Sequence, residues 1–125
     1  MTGTPFPVAA TFHVCTGCKA SARTGGADGA AVAAAMRDLA AGLADRLRIT
    51  VATYPCLGGC AGGGRLSVAG PGRWTFVFGG VDPATDTGHL AAFMDAWAGR
   101  ADGLVPNAER PPPLRRRIMA RVPPA

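Results

Sequence analysis

From Val8 onward apolar and polar residues alternate, with Val8, Ala10, Phe12 and Val14 on one face and Thr11 and His13 on the other. A period of two over this length predicts a half-buried strand that delivers Cys15 at its C-terminal edge. The period then changes. Val32, Met36, Leu39, Leu43 and Leu47 recur at helical steps, an apolar stripe over sixteen residues, while Arg37, Asp38, Asp45 and Arg46 fall off it. Asp28 stands where an N-cap is needed, so a helix is expected to follow it. Arg48 to Tyr54 reads as a second strand, with Ile49, Val51 and Thr53 on one side and Pro55 as its stop. Two short strands follow, Leu66 to Ala69 and Trp74 to Phe78, joined by the turn signal Gly70-Pro71-Gly72-Arg73. Asp82-Pro83 reads as the N-cap and first residue of a last helix, whose apolar face is Leu90, Phe93, Met94 and Trp97.

The order βαβββα predicts an α+β fold: a mixed four-stranded sheet with two helices packed on it. A right-handed crossover through the first helix makes the first two strands parallel, so the loops after both emerge on one edge. Residues 1–7 form a loose lead-in, 8–105 the domain, and 106–125 a basic Pro-rich tail that is extended or wraps the body. Ile118, Met119 and Val122 are the apolar anchors of that tail.

Composition changes this picture in one respect. The chain has 125 residues and a net charge of +5, which invites a nucleic-acid reading. The charge is confined, however: residues 110–125 hold five Arg and no acid, and the remainder is balanced. A neutral body with a basic end makes nucleic acid an unexpected partner, and the Arg cluster reads either as a solvated end or as a contact for an acidic partner. No apolar run is long enough to span a membrane, and the N-terminus lacks a signal-peptide pattern, so the expected compartment is the cytoplasm. Thiols stay reduced there, which favours metal ligation or redox chemistry over structural disulfides.

The four cysteines form two short loops, Cys15-Thr16-Gly17-Cys18 and Cys56-Leu57-Gly58-Gly59-Cys60. Each closes at the end of a predicted strand. Together Cys15, Cys18, Cys56 and Cys60 offer four thiolates, a complete shell for a zinc ion or an iron–sulfur cluster. His13 shares a strand face with Cys15 but is expected to be hydrogen-bonded or solvated, and His89 is given no role. The run from Gly58 to Gly64 lacks the Lys-Ser/Thr of a phosphate loop. Trp74, Phe76 and Phe78 are read as core or as a dimer surface.

A strand, a Cys pair, a helix, a second strand, Cys-x3-Cys and a hairpin together resemble the thioredoxin-like 2Fe–2S ferredoxins. More narrowly, the chain is similar to a bacterial family of unknown function described only as predicted metal-binding proteins. The matching segments are Val14-Cys15-Thr16-Gly17-Cys18, Cys56-Leu57-Gly58-Gly59-Cys60, Pro71-Gly72-Arg73-Trp74-Thr75, Val77-Phe78-Gly79-Gly80-Val81 and Arg121-Val122-Pro123-Pro124. The resemblance implies a thioredoxin-like fold and metal binding by the four Cys. Homodimerisation is plausible on the same ground, with the aromatic hairpin as the surface. The first Cys pair is more closely spaced than in typical thioredoxin-like ferredoxins.

Three functions compete for the site. A 2Fe–2S centre needs thiolates in a dry pocket with N–H donors to sulfur, for which Gly17, Gly58 and Gly59 are suited. Lys19, Arg23 and Arg65 lie close enough in sequence to tune its potential. The function is then ferredoxin-like electron transfer to a redox partner protein, without enzymatic activity of its own. Zinc, or another transition metal, in a structural or delivery role is the alternative. Zinc ribbons usually separate their Cys pairs by about 15–20 residues, whereas 37 lie between Cys18 and Cys56. Dithiol redox chemistry is the third reading. It is weakened because the expected helix starts near Asp28, too far from Cys15 and Cys18 for its dipole to lower a thiol pKa.

Overall fold

A computed structural model describes residues 8–15, 29–54 and 64–124 of the chain. Strand β1 (Val8–Cys15) leads through helix α1 (Gly29–Gly42) to strand β2 (Leu47–Tyr54). The hairpin strands β3 (Leu66–Ala69) and β4 (Thr75–Phe78) come next, then helix α2 (Thr87–Gly99). A 3-10 turn (Asn107–Glu109), a one-turn helix α3 (Pro112–Arg115) and strand β5 (Ile118–Val122) complete the fold. The sheet order is β2-β1-β3-β4-β5. β1 and β2 run parallel and the other neighbours antiparallel.

The architecture is therefore α+β with five strands, not the four read from the sequence. The extra strand lies in the Pro/Arg-rich segment. Pro111 and Pro112 open α3, where a missing N–H costs nothing. Leu114 is buried there, and the Arg117 carbonyl begins the pairing of β5 with β4 by accepting from Gly79 N–H at 2.8 Å. The register shifts between Val77 and Phe78, so Met119 bulges out of the ladder.

One face of the sheet carries the core. Ala10, Phe12, Val14, Leu66, Val68, Phe76 and Phe78 are buried with Val32, Met36 and Leu39 of α1 and the apolar face of α2. Phe93 sets its ring edge-on to Phe76 and Phe78, with centroids 5.0 and 5.2 Å away. Phe76 and Phe78 are thus covered within the chain, which removes them as the dimer surface expected of the aromatic hairpin. Trp97 is buried as well, and its indole N–H donates to Trp74 O at 2.9 Å.

Two further boundaries differ from expectation. Leu43 and Leu47 are buried, but α1 stops at Gly42; Leu43 lies in the following turn and Leu47 opens β2. Leu43 O accepts from both Arg46 and Leu47, a closing turn whose step of four mimics the helical period. Asp82-Pro83 forms a turn before α2 rather than its first residues. Asp82 O accepts from Thr85 and Asp86, Asp82 Oδ1 accepts from Ala84 N–H, and the helix starts at Thr87. The Asp28 cap lies outside the described residues. Between β3 and β4, Arg73 N–H closes on Gly70 O at 3.2 Å and Gly72 takes a φ of 68°, as a Pro-Gly turn of type II requires.

Candidate metal centre

Alternation along β1 puts Ala10, Phe12 and Val14 on the core face and Thr11, His13 and Cys15 on the other. Cys15 is nonetheless fully buried. Its N–H donates to Arg65 O at 3.2 Å, continuing the β1–β3 ladder to the last residue of the strand. On its other side Cys15 is in register with Tyr54, the last residue of β2. The parallel pair therefore ends flush. The residue that follows Tyr54 by two is Cys56, and the residue that follows Cys15 by three is Cys18.

Cys18, Cys56 and Cys60 lie outside the described residues, as do Gly17, Gly58, Gly59, Lys19 and Arg23. Among the described residues no group of three or more His, Cys, Asp or Glu side chains is placed to hold a metal ion. His13 is engaged elsewhere: Nδ1 stands 3.1 Å from Ser67 Oγ, and its ring packs against Tyr54 with centroids 5.4 Å apart. His89 is half-buried on α2.

Arg65 is a feature whose burial the sequence does not announce. It is 3% exposed although it follows a glycine run and reads as a surface residue. The space for it comes from Gly79, where a Cβ would stand 2.8 Å from Arg65 Nη1. Gly64 sets the approach. It has a φ of 52°, its carbonyl accepts from Val81 N–H at 3.1 Å, and a Cβ on it would lie 2.5 Å from Val81 backbone atoms. Arg65 thus meets β1 through its backbone, accepting the Cys15 N–H just before β3, while its guanidinium reaches the other way to Gly79, just after β4.

No helix among the described residues is long and apolar enough to cross a membrane. A family model described as "Protein of unknown function (DUF1636)" matches residues 12–124. No curated protein and no solved structure matches the chain at a significant level.

Proposed function

The chain belongs to the DUF1636 family, whose description assigns no function, and from that premise we propose that it is a small ferredoxin-like electron-transfer protein with a 2Fe–2S cluster on Cys15, Cys18, Cys56 and Cys60. The observation that carries this reading is the flush end of the parallel pair β1/β2, with Cys15 opposite Tyr54. Chain connectivity keeps the Cα of Cys56 within about 7 Å of Tyr54, and that of Cys18 within about 11 Å of Cys15. Both loops therefore leave adjacent strand ends, where four thiolates can converge. The order β2-β1-β3-β4, parallel in its first pair and antiparallel beyond, supports a thioredoxin-like reading of the fold.

The residues fit the group chemically. Four thiolates complete the shell of a 2Fe–2S cluster, which takes up and releases a single electron when bound. Cys15 comes from a fully buried position, as a water-excluding site requires. The electron would pass to a redox partner protein in one-electron steps.

The test is the visible spectrum of protein purified without oxygen, before and after dithionite, with iron and acid-labile sulfide measured on the same sample. Broad visible bands that bleach on reduction, with iron and sulfide in equal amounts, are expected. Cys56→Ser should abolish or shift them. A colourless protein that retains zinc through purification would replace the electron carrier by a zinc module, and an unchanged spectrum in Cys56→Ser would remove that residue from the site.

A further inference from the structure

Beside β5, on the helix-bearing side of the sheet, lies a concavity of about 620 Å³ lined by Leu104, Val105, Arg110, Arg115, Ile118 and Arg121, among others. Its size falls within the range of small-molecule sites. The register explains how the arginines meet. Arg121 is paired with Phe76 across β4–β5, so it shares the face of the buried Phe76 ring. Arg110 lies over that same ring, its guanidinium carbon 5.6 Å from the centroid. Arg115 reaches the rim from α3.

Two of these side chains are held by their inner nitrogen alone. Arg110 Nε donates to Val105 O at 2.9 Å, and Arg115 Nε donates to Asn107 O at 3.1 Å. Among the described residues their Nη groups, and the guanidinium of Arg121, have no carboxylate partner. The nearby acid, Glu109, is engaged by Arg100. Burial, and then the like charges of Arg121 and Arg115, pull the Arg110 pKa below its ordinary value. The fold thus gathers three arginines without a carboxylate partner around a hollow of mixed polar and apolar lining, two of them exposed and free to close on an anion.

We propose that this concavity is a binding site for a small organic phosphate. A phosphate monoester carries two charges and three terminal oxygens, and guanidinium forks pair with such oxygens two at a time. A single carboxylate would leave most of the charge unmatched. Leu104 and Ile118 would take the organic part. β1 and β5 are three strand spacings apart, about 14 Å, so the site is separate from the cysteine loops.

Isothermal titration of the full-length protein at low salt, with phenyl phosphate and with inorganic phosphate as probes, tests the proposal. Phenyl phosphate should bind at one site and more tightly than inorganic phosphate. Arg115→Gln and Arg121→Gln alter exposed side chains and should leave the melting curve in place while weakening binding by about tenfold each. The affinity should be the same whether or not the cysteine site holds metal. Absence of saturable binding up to about 10 mM ligand would overturn the site. So would equal affinity in both Gln variants, or binding of single-stranded DNA without binding of phenyl phosphate, which would mark an open polyanion-binding surface instead.

Discussion

Asp86 and Arg117 join the start of α2 to the residue before β5, and breaking them one at a time asks whether the basic segment is part of the fold. Asp86 is 1% exposed, and its Oδ2 accepts Asp82 N–H at 2.8 Å and stands 3.3 Å from Arg117 Nη1. Asp86→Ala removes a charge-assisted hydrogen bond, leaves Asp82 N–H without its acceptor and strands a half-buried guanidinium. The first two effects cost roughly 2 kcal/mol together, and the lost cation partner about 1 more. Arg117→Gln leaves a buried carboxylate facing a neutral group. Arg117 is 30% exposed, so solvent screens the loss, which should be about 1–2 kcal/mol. Asp86→Asn keeps an acceptor for Asp82 N–H and should fall between Arg117→Gln and Asp86→Ala. For a chain of this length 1 kcal/mol is about 4 °C of melting temperature, so Asp86→Ala should melt about 10–12 °C lower. Urea titration of the two single variants and the double variant then gives the coupling, expected near 1 kcal/mol. A coupling below about 0.3 kcal/mol, with Arg117→Gln as stable as the parent, would refute the docking of this segment.

Two other substitutions probe the core and the approach to Cys15. Phe93→Ala should cost about 3–5 kcal/mol in urea titration, because a fully buried ring with edge-on contacts to Phe76 and Phe78 is replaced by a cavity; a loss under about 1 kcal/mol would mean that α2 does not cover the hairpin. Gly64→Ala should lower the melting temperature by about 8 °C or more, since it combines a positive φ with a Cβ 2.5 Å from Val81 backbone. A melt within about 1 °C of the parent would show that the Gly64–Val81 contact is not made.

The elements that local chemistry determines were legible in the sequence. β1 follows from strict alternation and the β3–β4 turn from Pro71-Gly72. The face of α2 follows from Leu90, Phe93, Met94 and Trp97, all buried as their spacing implies. β5 was not legible, because its strand character comes from pairing with β4. Its own residues, Ile118-Met119-Ala120-Arg121-Val122, follow a run of Pro and Arg, and the bulge at Met119 breaks the alternation. Leu47 misled for a different reason: a step of four from Leu43 fits a helix and a helix-closing turn equally well. At the candidate centre, the strand end that presents Cys15 and its parallel partner were readable from the β-α-β order. The burial of Arg65 was not, since it depends on Gly79 from a different strand leaving room for the guanidinium.

The sheet order itself separates two kinds of chemistry. The parallel pair β1/β2 has to be joined by a crossover, so its C-terminal ends are free of a tight connection and both continue into cysteine loops. The antiparallel strands β3, β4 and β5 extend the sheet the other way, and β5 ends it with exposed Met119 and Val122 beside the arginine-lined hollow. At β5, Arg115 and Arg121 are exposed and Arg110 half-buried, an arrangement suited to a ligand that comes and goes. Loss of a metal from the cysteine loops would therefore leave the β4–β5 register and the arginines in place, and neutralising Arg115 or Arg121 would leave the spectrum of the centre unchanged. The absorbance and titration experiments thus interrogate independent ends of one sheet, and failure of either reading leaves the other standing.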